Sequence, residues 1–354
     1  MKYEVDFLPI GEGSGDAIVI HYGDDVGGYY LHVVDGGRAG TAETIINHIN
    51  KYYQGEYISH MVLSHADDDH ATGLIGVMEK IEVKNLWMNR PWLYAEQILP
   101  HFHGNYTLQG LIDTIKKEHP YLVELERLAN QKGIPIHEVF QGAKIGEFTV
   151  LAPDKNRYID SIPDFSKTPD RYRIEATKSE GLGLLRLIAE AAKKYLEEKW
   201  DVETLSENTE TSASNESCVV QYGVLNGRGV LLTADVGPIG LLEAGNYAAG
   251  LRLKRPKFVQ VPHHGSRHNV TPAVLDMWLG EKQPQGTEVG VAFCSVGSNK
   301  NDYPRGQVKN AFMRRGFKVY STRTKWISDY GGGGGHPGTV PAVPEQFADK
   351  VEGI

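Results

Sequence analysis

The densest reactive segment is Ser64-His65-Ala66-Asp67-Asp68-Asp69-His70, where His65, Asp67, Asp69 and His70 offer imidazole nitrogen and carboxylate oxygen within six residues. Both donor types suit zinc or manganese, and four of them this close can hold two adjacent divalent ions. Without a cation the same side chains repel one another or stay in water, so the competing reading is a solvated acidic turn edged by histidines. Two further segments count against that turn. Leu231-Leu232-Thr233-Ala234-Asp235 is an apolar run closed by one carboxylate, which alone would read as a turn former or helix cap. Val261-Pro262-His263-His264-Gly265-Ser266 is a β-like run closed by a histidine pair. Three strand ends thus deliver His, Asp, Asp, His, then Asp, then His to one sheet edge, an order far more specific than any single piece. Two ions at such a site would activate a water for hydrolysis and clamp the oxygens of an in-line displacement. The carboxylate-rich donor set keeps manganese in competition with zinc.

Other chemistry has weaker support. The chain has no Gly-x-x-x-x-Gly-Lys phosphate loop, and Gly11-Glu12-Gly13-Ser14-Gly15-Asp16 lacks the third glycine of a dinucleotide fingerprint. It has no Gly-x-Ser-x-Gly nucleophile elbow. Gly15 and Asp16 read instead as a turn beneath the cluster, with Asp16 either supporting a ligand or simply shaping the turn. Arg267, His268, Lys300 and Arg305 lie in loops beyond strand ends, where they either grip phosphate or are merely solvated.

The elements that must position these residues alternate along the chain. Short strands are expected at 4–9, 16–22 and 29–35, separated by glycine-rich turns, followed by a helix over 41–53. An apolar strand at 58–64 runs straight into the His/Asp cluster, the place where α/β proteins put chemistry. Further strands are expected at 134–140, 147–152, 217–223, 229–235, 256–262, 288–295 and 317–321, and the glycine run 331–335 reads as a flexible loop. Residues 154–214 differ: they are polar, with one amphipathic helix marked by Leu184, Leu187, Ile188, Ala191, Ala192 and Tyr195. This stretch is expected to be an insertion in a single domain spanning 1–354, serving as a lid or as a docking element for a protein partner.

Composition narrows the classes. A chain of 354 residues, 40% hydrophobic and 23% charged, can build a sizeable core. A net charge of -8 disfavours a duplex-coating protein, which needs a broad basic face, but leaves room for nucleic acid at one metal-lined groove. The two cysteines, Cys218 and Cys294, lie in apolar β-rich runs and read as buried reduced thiols rather than a disulfide. No run approaches the roughly 20 apolar residues of a membrane span, and the N-terminus lacks a signal-peptide core, so a cytoplasmic location away from membranes is the default expectation.

The order of these segments resembles the metallo-β-lactamase superfamily, and more narrowly the hydrolase domain of the DNA-uptake competence protein ComEC and its soluble relatives. The resemblance runs through Gly13-Ser14-Gly15-Asp16-Ala17-Ile18, Val34-Asp35-Gly36-Gly37, the His65–His70 cluster, Asn215-Glu216-Ser217, Thr233-Ala234-Asp235, the His-His-Gly-Ser run and Ser295-Val296-Gly297. It implies an α/β fold, an αββα four-layer sandwich with a partly helical insertion. It further implies that His65 and Asp67 hold one metal, Asp69 and His70 the other, that Asp235 bridges them, and that His264 is the last ligand. His263 would then face the substrate as a phosphate contact or proton donor, making it and Asp69 the catalytic pair. Asn215 stands where more typical members have a further histidine; it would meet substrate along with Ser266, Arg267 and Lys300, while Asp16 and Asp35 would support the ligands. The activity implied is a two-metal phosphodiesterase or nuclease, acting on a phosphodiester such as a nucleic acid or nucleotide. Lactone, thioester or phosphorylcholine-ester hydrolysis is an alternative, as is a partner-dependent effector with no catalysis. The membrane-spanning parts of the competence protein have no counterpart, so its transport role does not carry over.

Overall fold

The computed structural model describes residues 1–102, 106–168 and 195–353 and builds them into two seven-stranded sheets packed face to face, with helices on both outer surfaces. The first sheet contains β1 (Lys2–Phe7), β2 (Ala17–Asp24), β3 (Gly28–Gly36), β4 (His60–Val62), β5 (Leu86–Trp87) and β6 (Ile136–His137) in that order. The second runs β14 (Phe317–Ser321), β13 (Gly290–Cys294), β12 (Phe258–Gln260), β11 (Arg228–Leu232), β10 (Val220–Leu225), β8 (Phe148–Ala152) and β7 (Lys144–Ile145). This is the αββα sandwich expected from the sequence.

Both faces of each sheet are covered, so the strands are apolar on both sides. On β2, Ile18, Ile20 and Tyr22 enter the core between the sheets, while Ala17 and Val19 meet the outer helices. Helices α1 (Thr41–Tyr52) and α2 (Asp68–Lys80) close the first sheet through Ile45, Ile49, Leu74 and Val77. Helices Pro238–Gly250, Pro272–Leu279 and Gly306–Arg314 close the second through Leu241, Leu275 and Phe312.

Strand direction sets up the site. Strands β3 and β4 are parallel, as are β11, β12 and β13, so within each sheet their carboxyl ends reach one edge. Strand β2 runs against β3 with Ala17 opposite Gly36, which puts Asp16 at that same edge. Ligands bind outside the carboxyl ends of such strands.

Three features differ from expectation. The strand expected at 58–64 shortens to His60–Val62, because Leu63 and Ser64 already turn toward the site. A strand not expected, β15 (Ile327–Gly331), pairs with β1; its sequence Ile-Ser-Asp-Tyr-Gly has too few apolar residues to signal one. The glycine run after it is held, not free: Gly335 N–H donates to Glu4 Oε1 at 2.8 Å.

The helix expected around 184–195 lies outside the described residues except for Tyr195, which belongs to β9 (Tyr195–Glu197), paired with β16 (Lys350–Glu352). The described ends of 154–214 are integral parts of the body. Tyr158, Ile162 and Phe165 enter the core beneath the first sheet, and Leu205 enters that beneath the second. Glu198 is buried in an ion pair with the equally buried Arg314, 3.0 Å away. Cys218 and Cys294 are free, and burial pushes both thiols up from their ordinary range, as inert core cysteines require. Among the described residues no helix is long and apolar enough to cross a membrane.

Candidate metal centre

The loop after β4 carries Ser64 to Asp67 into the first turn of α2, so Asp67, Asp69 and His70 gather at a helix N-terminus, where acidic groups are favoured. Two glycines permit the close packing this needs. A Cβ on Gly73 would sit 1.9 Å from the Gly36 carbonyl oxygen, so only glycine lets α2 rest on the end of β3. A Cβ on Gly15 would sit 2.1 Å from the Asp69 carbonyl oxygen, and Gly15 adopts φ +132°.

Asp235 follows β11 and His263-His264 follow β12, and the backbone there is strained. Asp35, Ala234, His263 and His264 all have φ between 46° and 58°; they are four of the seven non-glycine residues with positive φ among those described. Such strain persists where surrounding structure over-determines the conformation, which is common at functional sites.

Four imidazoles converge on Asp235. His70 Nε2 lies 3.5 Å and His263 Nε2 3.4 Å from Asp235 Oδ2, and His264 Nε2 lies 3.6 Å from Oδ1. His65 Nε2 lies 3.5 Å from Asp67 Oδ2 and shares a group with His70 and Asp235 whose ligand atoms all fall within 4.8 Å of one another. Asp69, His70 and His264 form a second such group, and Asp235, His263 and His264 a third.

The other ring nitrogens fix which atom faces inward. His70 Nδ1 lies 2.8 Å from Asp35 Oδ2, and His264 Nδ1 lies 3.1 Å from the Ser295 carbonyl oxygen. Both partners can only accept, so each Nδ1 carries a proton and each Nε2 faces Asp235, with His264 Nε2 also accepting from the Gly15 N–H at 3.2 Å. His263 Nδ1 meets Asn269 Oδ1 at 2.9 Å, an amide oriented by its own donation to the Asp235 backbone carbonyl at 2.8 Å. His65 Nδ1 lies 3.0 Å from Ser64 Oγ, which donates to Asp35 Oδ2 at 2.6 Å.

Four buried atoms at the centre are left without partners: His65 Nε2, His70 Nε2, Asp235 Oδ1 and Asp16 Oδ2. Each unmet buried polar atom costs about 1–3 kcal/mol, so four in one place would be a heavy penalty in a site meant to stay empty. Electrostatics agree. Burial alone would push the Asp235 carboxyl up, but His263, His264 and His70 hold it well below the usual carboxylate range. Burial would lower His70, yet Asp235 and Asp35 raise it well above its ordinary value. Carboxylates so arranged demand positive charge, which a divalent cation supplies as well as protons do. The donor set therefore fits divalent metal.

The remaining expected site residues divide. Asp35 supports Ser64, through its backbone N–H at 2.8 Å as well as its hydroxyl, and also His70. Asp16 is buried 3.8 Å from His70 Nδ1, and burial raises its carboxyl. Lys300 joins Ser14, His263, His264, Gly297 and Tyr303 around a cleft of about 230 Å³. Asn215 is not among the residues around that cleft: its amide nitrogen donates to Thr211 Oγ1 at 3.0 Å and lies 3.1 Å from His263 Nδ1. Arg267 Nη1 donates to the Gly353 carbonyl at 2.7 Å. Ser266 is buried, and its hydroxyl accepts from His268 N–H, shaping the loop. Arg305 pairs with Asp302 and lies over the Tyr303 ring.

Ser14, Asn269 and Arg38 join the site without having been singled out. Ser14 Oγ donates to Asp69 Oδ2 at 2.5 Å, and Arg38 lies 3.8 Å from the same oxygen. Ser14 stood in a glycine-rich turn that carried a signal; Asn269 reaches Asp235 across 34 residues and carried none.

No family model and no curated protein matches this chain. Solved structures similar to it include the metallo-beta-lactamase fold protein YhfI from Bacillus subtilis, at 12% identity and TM-score 0.41, covering 94% of this chain and 100% of that one. A long form RNase Z from yeast is similar at 11% identity and TM-score 0.38, over 82% of this chain and 36% of that one. A metallo-beta-lactamase from Cronobacter sakazakii is similar at 11% identity and TM-score 0.34, over 77% and 86%. Likeness at this level fixes no residue role.

Proposed function

We propose that this chain is a metal-dependent hydrolase whose centre holds two divalent ions. The observation that carries the reading is the set of imidazole Nε2 atoms turned toward Asp235, with His70 and His264 locked in that orientation by acceptor-only partners. Ligating histidines characteristically donate their other ring nitrogen to a carboxylate or carbonyl. Asp235 is the group best sited to be shared between the ions, since its two oxygens face different histidines. His65 and Asp67 would serve one ion; Asp69, His70 and His264 would serve the other.

Two bound ions supply a water made acidic near neutral pH and a clamp for the oxygens of the reacting group. The chain does the rest. The His263 side chain is about one-third exposed and lines the cleft, whereas that of His264 is buried, so His263 is the residue to meet substrate and pass a proton to a leaving oxygen. Lys300 and the loop at Gly13-Ser14 line the same cleft and suit an anionic substrate. The resemblance to the competence-protein branch favours a phosphodiester over a lactone or thioester, with nucleic acid or a nucleotide as the substrate class and manganese or zinc as the working ion.

The test is hydrolysis of a panel of single-stranded DNA, RNA, cyclic nucleotides, choline phosphodiesters, a carboxylic ester and a lactone by metal-stripped protein reloaded with manganese or zinc. Turnover of the nucleotide substrates, returning only with metal, is expected. Turnover confined to carboxylic esters or lactones would overturn the phosphodiester assignment.

A further inference from the structure

A second His/Asp cluster lies on the outer face of the first sheet, built by β1, α1 and the C-terminal glycine strap. Asp6 comes from β1, His48 from α1, Tyr53 from the residue that ends α1, and His336 from just after the glycine run. Asp6 is fully buried, and His48, Tyr53 and His336 are at most 8% exposed. His48 Nε2 lies 2.9 Å and His336 Nε2 2.8 Å from Asp6 Oδ2. The Tyr53 hydroxyl lies 3.1 Å from that oxygen and 3.3 Å from His336 Nε2.

As a hydrogen-bond network this is lopsided. Three donors crowd Asp6 Oδ2, while Asp6 Oδ1, equally able to accept and equally buried, has no partner. An orphaned carboxylate oxygen in the interior is costly, and moving one donor across would relieve it. The two imidazoles and the carboxylate instead point their ligating atoms at a common space, all within 4.8 Å of one another. A tetrahedron with zinc bonds of about 2.0–2.1 Å has edges of about 3.3 Å, so the 2.8 and 2.9 Å separations here would open by a few tenths of an ångström to admit the ion.

The surroundings suit a held ion rather than a reacting one. The His336 ring is enclosed by Tyr52 at 4.1 Å, Trp326 at 5.2 Å and Tyr53 at 5.7 Å between centroids. Access is from an open cleft of about 490 Å³ lined by Glu4, Glu56 and Lys51, with His21 bridging the two carboxylates. We propose that Asp6, His48 and His336, with Tyr53 beside them, form a structural zinc site that pins the C-terminal strap to the body. Two histidines, a carboxylate and a phenol are hard to borderline donors and match zinc. This inference stands apart from the proposed hydrolase centre, because it shares no residue with it.

The experiment measures zinc per chain by elemental analysis after metal stripping, reloading and removal of excess, in an Asp235→Asn, His264→Ala background that disables the other centre. One zinc is expected to remain, and it should be lost in that background on adding His336→Ala. Because His336 lies on a loop, that change should leave the sandwich folded. Asp6→Asn and His48→Gln, which retain hydrogen-bonding shape, should lose the ion too, and zinc should raise the Tm of the background protein but of none of the three variants. Equal zinc in the background protein and in all three variants, or no zinc in any of them, would overturn the proposal.

Discussion

One cluster of histidine and aspartate joins the strand ends of both sheets, another lies on the outer face of the first, and they are built for different ends. At the strand ends, the ligating atoms face a cleft, the backbone is strained at Asp35, Ala234, His263 and His264, and each ring is oriented by a separate partner. On the outer face, Asp6 lies within a regular strand, its partners come from a helix and a strap, and aromatic rings close the space. At the first arrangement the one-third-exposed His263 opens onto its cleft, whereas at the second Asp6, His48 and His336 are all buried beneath theirs. A list of metal-binding residue types cannot separate them. What separates them is where they stand relative to the strand ends.

The largest effects that would sharpen this contrast belong to the histidine pair. His264→Ala is expected to empty the strand-end centre of metal and abolish turnover, since its ring is buried against Asp235. His263→Ala should keep the metal and lower kcat by about 10² to 10⁴, the usual loss of a positioned acid–base group. Metal content measured beside rate in the two variants decides it, and the opposite pattern would exchange their roles.

A smaller effect is expected at Asp35, which touches no substrate. Asp35→Asn keeps the size and tolerates the positive φ of 58°, but leaves too few acceptors for Ser64 and His70 together. Metal affinity should fall about 10- to 100-fold, as for other residues that orient a ligand. An unchanged affinity in a metal-competition titration would mean His70 does not need that partner.

His32 supplies the control, being a buried histidine with neither acid nor cation. Both its ring nitrogens lack partners, and it packs edge-on against Phe148 and His60. Burial, aided by neighbouring His60, keeps it well below its ordinary value, so the unfolded chain binds a proton that the folded chain refuses. Its contribution to stability is complete above the ordinary histidine pKa of about 6.5 and is lost as pH falls below that. His32→Phe should flatten the decline in urea midpoint between neutral and acidic pH by the slope of one proton. Parallel curves for the two proteins would contradict this.

The smallest effect on the chemistry is expected from the insertion. Its described ends enter the two cores, so the segment to remove is 169–194 and not the whole of 154–214. With a Gly/Ser linker there, metal binding and cleavage of a small phosphodiester should persist, because added loop length costs little. Cleavage of a nucleic acid should change more, as expected if the segment governs access. Lys167, just before it, donates to Asp68 Oδ1 at 2.5 Å. Equal losses on small and large substrates would remove the lid role.

Much of the strand-end centre was legible because its ligands follow apolar runs, and strand ends in parallel sheets gather at one edge. His65, Asp67, Asp69, His70, Asp235 and the His263-His264 pair all lie where that logic put them. The supporting contacts were less legible. Asn215 and Arg267 have the right chemistry for a substrate, but their donation to Thr211 Oγ1 and to the Gly353 carbonyl leaves no mark in the sequence. Asp6, His48 and His336 were not legible at all, because their contact spans up to 330 residues and depends on β15, a strand too polar to announce itself.

Hydrolysis is proposed to take place at Asp235, with two divalent ions bound. The most direct measurement is release of nitrophenol from a generic phosphodiester by wild-type and Asp235→Asn proteins, stripped of metal and reloaded with manganese or zinc, with bound metal counted in the same samples. The wild type is expected to be inactive when stripped and active when reloaded, and Asp235→Asn to stay at background with fewer ions bound. Turnover by the stripped protein, undiminished turnover by Asp235→Asn, or a fully loaded wild type that cleaves nothing would contradict the account.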